Sequence, residues 1–381
     1  MTTDDFRLHG DLIGRQGSRR DLNTPVLVLD ADALDRNIAT MAELAAKAGV
    51  RLRPHAKTHK SLDIARRQVK AGAVGLCCAK LGEAEALADG GIEGLHITSP
   101  VVSPPAVARL IELNSRTARL SVVVDNPDNV AALAAAASPE RRLGVFIDVD
   151  PGIHRTGVAS PAAAAELARQ ILASPSLRYE GVQFYCGREQ HIEAFADRRT
   201  AIEERTAYLR TVIDALVAVG AAPDIVTGSG TGTHRIDLQL GVINELQVGS
   251  YVFMDDEYVA CDLKGDGSQP YERSLFVDAR VVSANAAGLV TVDAGLKAFA
   301  TEGKPPTVAA GAPAGAKYFF MGDEHGAVVA PDVERSLAVA DIVTLTAPHC
   351  DPTVNLYDTY HLVRGDTLVD LWPVTGRGRA R

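Results

Sequence analysis

From about residue 50 to residue 252 one pattern recurs: a short apolar run, a polar or Gly-rich corner, then a stretch with helical spacing. The runs are VRLRPH (50–55), AVGLCCA (73–79), GLHITS (94–99), RLSVVVD (119–125), LGVFIDV (143–149), EGVQFYC (180–186), DIVTGS (224–229) and ELQVGSYVF (245–253). Helix-like segments lie between them. In SLDIARRQVKAG, Ser61 can cap a helix in which Leu62, Ala65 and Val69 fall at i, i+3 and i+7. Parallel strands need crossover connections, usually helices, so this alternation points to a parallel sheet. Eight repeats predict an α/β fold, a (β/α)8 TIM-type barrel. The rival open doubly wound sheet usually carries a dinucleotide fingerprint, and no G-x-G-x-x-G follows the first run.

After about residue 270 the texture changes to strand-like runs without helices: SLFVDARVVSA, GLVTVDAG, KYFFMG, DIVTLTA and TYHLVRGDTLVDLWPV. The expected division is a barrel over residues 31–268 and a smaller C-terminal β domain over 269–381. An N-terminal segment, residues 1–30, contains TPVLVLD (24–30) and is expected to join that β domain. The 48 acidic and 39 basic residues give a net charge of −9, which offers no basic field for nucleic acid or anionic lipid. No run approaches the ~18 apolar residues of a membrane helix, and the first 20 residues lack a signal-peptide core. A cytoplasmic protein with no membrane or nucleic-acid partner is expected. The five cysteines, scattered at 77, 78, 186, 261 and 350, form neither a disulfide framework nor a CxxC zinc pair.

The string RLRPHAKTHK places Arg51, Arg53, His55 and Lys57 on one parity of the first strand. Catalytic residues of barrels sit at the C-terminal strand ends, where Lys57 falls. A lysine there, partly desolvated among cations, should have its ammonium form disfavoured and act as a Schiff-base amine. Lys60 competes, although it is expected within the first helical turn. After the seventh strand, VTGSGTGTHR (226–235) offers Gly228, Ser229, Gly230 and Thr231 as backbone donors to a phosphate. Arg155, Tyr185, Gln190 and His191 follow strands five and six and should converge on the same mouth. In PHCDP (348–352), His349 and Asp351 lie two apart, so an extended segment would point both to one side as metal ligands. Nitrogen and oxygen donors suit a divalent cation such as Mn²⁺ or Zn²⁺.

With these motifs in hand, together with LNTPVLVLD, GDEHG and PHCDPTVNLYD, the chain resembles the D-threonine aldolase and D-serine dehydratase-like family of pyridoxal phosphate enzymes, related in fold to alanine racemase. The resemblance runs nearly full length. It implies that Lys57 holds the cofactor aldehyde, that the 228–231 loop holds its phosphate, and that Arg155 and Tyr185 contact its ring system. It also implies a metal on His349 and Asp351 (Mn²⁺ first, with Zn²⁺, Co²⁺ or Mg²⁺ as alternatives), a catalytic base that is either His191 or a metal-bound hydroxide, and His55, Gln190 and Asp323 beside the substrate. The dehydratase branch typically has HxC, and this chain has the aldolase-like HxD. The implied activity is therefore cleavage of D-3-hydroxy amino acids to glycine and an aldehyde, in a homodimer. Dehydration of D-serine or D-threo-3-hydroxyaspartate, metal-independent racemisation, and a cofactor-binding regulatory role are the alternatives.

Overall fold

The computed structural model describes residues 4–381, so the first three residues of the N-terminal segment lie outside the described residues. Strand β1 (Val26–Asp30) runs directly into a helix, Ala31–Ala48. Asp30 makes this turn: its carboxylate accepts the N–H groups of Asp32 and Ala33, at 3.0 and 2.9 Å, donors that the helix itself cannot satisfy. Gly49, at φ 67°, ends the helix in the left-handed conformation that a side chain would oppose.

Eight parallel strands follow: β2 (Arg51–Leu52), β3 (Cys77–Cys78), β4 (His96–Ile97), β5 (Ser121–Val124), β6 (Leu143–Asp148), β7 (Leu177–Phe184), β8 (Ile225–Gly228) and β9 (Glu245–Leu246). Seven fall within the apolar runs, and β7 begins three residues before its run, at Leu177. They hydrogen-bond in the order β2-β9-β8-β7-β6-β5-β4-β3. The two end strands also meet, because Cys77 N–H donates to Pro54 O and Ala56 N–H to Cys77 O, both at 2.8 Å. Helices surround the ring, and outward residues such as Val122, Val124, Val145 and Ile147 are buried against them.

The inside of the ring is unusually polar for a barrel, whose interior is normally filled by branched apolar side chains. One apolar plug, Val123, Phe146 and Ile225, lies beside a hydrogen-bonded network. Arg53 binds Glu245 in two bonds of 2.8 and 3.0 Å. His96 contacts Ser121 and Gln183, and Gln247 Nε2 reaches Gln183 and Thr227. Arg53 therefore does not contribute to a basic active-site face: a buried carboxylate neutralises it deep in the ring.

A second, mostly antiparallel sheet is built from β10 (Leu275–Ala286), β11 (Leu289–Val292), β12 (Val308–Ala310), β13 (Lys317–Phe320), β14 (Gly326–Val329), β15 (Ile342–Thr346), β16 (Thr359–Arg364), β17 (Thr367–Pro373) and β1. β1 pairs antiparallel with β10 and parallel with β16. This sheet therefore uses both ends of the chain, which draws it onto the barrel at the point where β1 hands over to the first helix. No helix among the described residues is long and apolar enough to cross a membrane. All five cysteines are free and buried.

Candidate active site

A cavity of about 600 Å³ opens at the C-terminal ends of the barrel strands. Lys57, beyond β2, lines it with a side chain 38% exposed, and its ammonium contacts the Asp351 carboxylate of the second sheet's domain. Burial works against the charged amine, but Asp351 and the neighbouring Tyr185 outweigh it and hold the Lys57 ammonium above its ordinary range. The expectation of a cation-crowded, readily deprotonated lysine is thus corrected: the nearest charge to Lys57 is a carboxylate. Asp351 in turn is held below the usual carboxylate range, because Lys57 overcomes the opposing effect of burial.

His55 lies beneath Lys57, accepting the Lys57 N–H at Nδ1 (3.3 Å) and meeting Thr98 Oγ1 at Nε2 (3.1 Å). Burial, helped by the Lys57 charge, keeps its imidazole neutral. Arg155 and Tyr185 face each other across the cavity wall, the guanidinium carbon 5.8 Å from the ring centroid. His191 stands just outside, its ring tilted 42° against the cavity residue Tyr258 with centroids 4.5 Å apart, and 3.6 Å from Glu257. Burial lowers its basicity against the pull of Glu257, and the charges of His349, Lys57 and Asp351 all bear on it.

The glycine loop closes the opposite side. Ser229 takes a left-handed φ of 71°, and Gly230 and Thr231 line the cavity with Gly249 and Ser250 from the end of β9. The N–H groups of Thr231, Gly249 and Ser250 find no acceptor among the described residues. Side chains would fill this space: a Cβ on Gly230 would stand 2.4 Å from Gln190 Oε1, and one on Gly249 2.7 Å from Thr58 Oγ1. Uncommitted donors in a glycine-lined recess, with an amine on the facing wall, fit a phosphate and an aldehyde on one planar ring. The residues present therefore suit pyridoxal phosphate.

Several expected positions differ. Gln190 is fully buried and does not line the cavity; it braces the loop, accepting Gly232 N–H (3.0 Å) and donating to Cys186 O and Thr233 Oγ1. Asp323 is exposed on the β13–β14 hairpin beside Lys297, away from the cavity lining. Lys60, left-handed at φ 47° ahead of the Ser61 cap, binds Asn355 and Glu83 rather than facing the cavity. The His349–Asp351 segment does not continue as a strand: His349 stands at the N-terminal boundary of a short helix, Cys350–Val354, and its Nδ1 meets Glu302 at 3.0 Å. Alternation therefore does not explain why both bear on His191; the turn into the helix carries Asp351 to Lys57. The Asp5, His9 and His361 group elsewhere has metal-like spacing. There, Asn23 N–H donates to His9 Nε2, which leaves the ring proton on Nδ1 for the 2.9 Å bond to His361.

Sequence reasoning missed Gln183, Gln247, Thr98 and Tyr258 in the lining. The glutamines carried a readable signal: each interrupts an apolar strand run at the parity that turns out to face inward.

Residues 29–257 match the family model of the alanine racemase N-terminal domain, and residues 274–363 match that of a serine dehydratase domain. A 3-hydroxy-D-aspartate aldolase of Paracoccus denitrificans (strain Pd 1222) is 40% identical over 364 residues, covering 94% of this chain and 93% of its own. A D-threonine aldolase of an Arthrobacter species is 37% identical, covering 94% of each. The crystal structure of D-threonine aldolase from Filomicrobium marinum superposes with a TM-score of 0.89 at 36% identity, covering 95% of this chain and 97% of that one. A polar-cored parallel barrel with an amine at its mouth, a sheet drawn from both chain ends and these near full-length likenesses lead to one conclusion: the chain belongs to the alanine racemase-like family, in its D-threonine aldolase and D-serine dehydratase-like branch.

Proposed function

We propose that this protein is a pyridoxal phosphate- and divalent-metal-dependent carbon–carbon lyase that cleaves D-3-hydroxy amino acids of the D-threonine type to glycine and an aldehyde. The observation that carries this reading is the Lys57–Asp351 contact, because it joins the candidate cofactor amine of the barrel to the candidate metal ligand of the second domain at one cavity. When bound, the cofactor supplies an electron sink for the pair left on Cα, and the cation a Lewis acid for the β-hydroxyl.

The chain's own residues would do the rest. Lys57 must surrender Asp351 and a proton before its amine can bond an aldehyde carbon. The Thr231, Gly249 and Ser250 N–H groups would bind the phosphate, with Gly228 and Ser229 shaping the turn behind them. Arg155 would offset negative charge on the ring oxygen, and Tyr185 would hold the ring from one side. His55, neutral and anchored on Thr98, supports the floor below the substrate. His191, whose imidazole is drawn toward its neutral form, can accept the β-hydroxyl proton. His349 and Asp351 offer one nitrogen and one oxygen donor to the cation, with Mn²⁺ the expected metal. The reading includes a homodimer in the cytoplasm.

Product analysis tests it. Purified protein with the cofactor and Mn²⁺ should release glycine and acetaldehyde from D-threonine, and a chelator should stop the reaction. Ammonia and a 2-oxo acid from D-serine, in place of those products, would move the chain to the dehydratase reading.

A further inference from the structure

The opposite end of the barrel holds a second cavity, of about 420 Å³, which the proposed reaction does not use. Its space depends on specific local features. Gly144 on β6 lets the cavity-lining Glu180 pack close against the strand, since a Cβ there would stand 2.8 Å from Glu180 Oε1 and 2.9 Å from Leu120 O. The register between β6 and β7 jumps from Val145↔Tyr179 to Phe146↔Gly181, leaving Glu180 unpaired in a β-bulge. Bulges of this kind re-aim side chains at functional places. Gly181, at φ 140°, permits the bulge by passing against the Ile225 carbonyl, where a Cβ would lie only 1.9 Å away.

Four guanidinium groups line this cavity and only one carboxylate does. Arg53 is committed to Glu245, and Arg178 to Glu180 at 2.6 Å. Arg51 and Arg119 are exposed, and their guanidinium groups make no hydrogen bond or ion pair among the described residues. They enter from separate strands, at the start of β2 and just before β5. Two uncommitted guanidinium forks around one recess, in a chain of net charge −9, are an arrangement for oxyanions, whose paired oxygens they match. We propose that the lower barrel cavity binds a small multivalent oxyanion, a phosphate or a dicarboxylate, between Arg51 and Arg119.

The test uses the holoenzyme, in which bound cofactor already fills the glycine loop. Calorimetric titration with inorganic phosphate and, separately, with succinate, at ionic strength matched by chloride, should show saturable binding of at least one anion. Binding of phosphate alone identifies the first class, and of succinate alone the second. The Arg51→Gln/Arg119→Gln double variant should weaken that binding at least tenfold while keeping kcat and Tm, because neither side chain holds any part of the fold. Absence of saturable binding for both anions, or affinity that the double variant retains, would overturn the proposal and leave the arginines as solvated surface charges.

Discussion

Arg53 and Lys57 lie four residues apart on one segment, and each meets an acidic partner, yet the two pairs are built differently. Arg53 is bound bidentately to Glu245 inside the ring, and the Glu245 side chain has no exposure. Lys57 reaches across to Asp351 of the other domain, 38% exposed beside a cavity of about 600 Å³. Arg53 borders the lower cavity, but its bidentate bond to a carboxylate with no exposure makes the pair structural, since removing one partner strands a buried charge. The more exposed Lys57–Asp351 pair can exchange partners, and the uncommitted N–H donors across the active-site cavity show the same readiness to bind. The difference separates what holds the barrel together from what is left open for a ligand.

The comparison can be broken at several points. Lys57→Ala should lower kcat/KM by on the order of 10⁴-fold and abolish the visible absorbance of bound cofactor, with Tm little changed. Glu245→Gln should do the reverse, costing about 3–5 kcal/mol of stability in thermal melts while the cofactor spectrum persists. Loss of the spectrum without loss of stability would erase the distinction. Asp351→Ala should retain the absorbance but remove metal-stimulated turnover, a loss of about 10²-fold or more. Gln190→Ala, which removes the brace behind the glycine loop, should weaken cofactor affinity about tenfold as read by equilibrium dialysis.

The smallest expected effect is a pH slope. Burial holds His59, His96 and His361 at a pKa of about 4, and His234 at about 3, against an ordinary value of 6.5. The unfolded chain therefore takes up protons below 6.5 that the folded chain refuses, so stability should fall as the pH drops from 7 to 6. Asp148, Asp237 and Asp255, raised by burial to about 6, act in the opposite sense over that range but are fewer and each contributes less. The net loss should be about 2 kcal/mol, measured as a lowered Tm.

Much of this was legible in the residues. The eight strand runs, the sheet-forming C-terminal stretch and the lysine at the first strand's end follow from period and position alone. What escaped depends on partners distant in sequence. Nothing near Arg53 announces Glu245, 192 residues away, so its charge reads as part of a basic face. Asp351 lies 294 residues from Lys57, and their contact reverses the expected state of the amine. Gln190 sits in a motif with His191, but the fold turns its amide behind the loop. Strand geometry fails for the HxD pair because no local signal marks a five-residue helix starting at Cys350.

The most direct test of the central claim is chemical. Borohydride reduction of the holoenzyme fixes the cofactor to whichever amine holds it, and peptide mass mapping then locates it. The account predicts the label on Lys57 alone. A label on Lys60 or on the cavity-lining Lys80 would show that the amine facing Asp351 is not the one that binds the cofactor, and would contradict it.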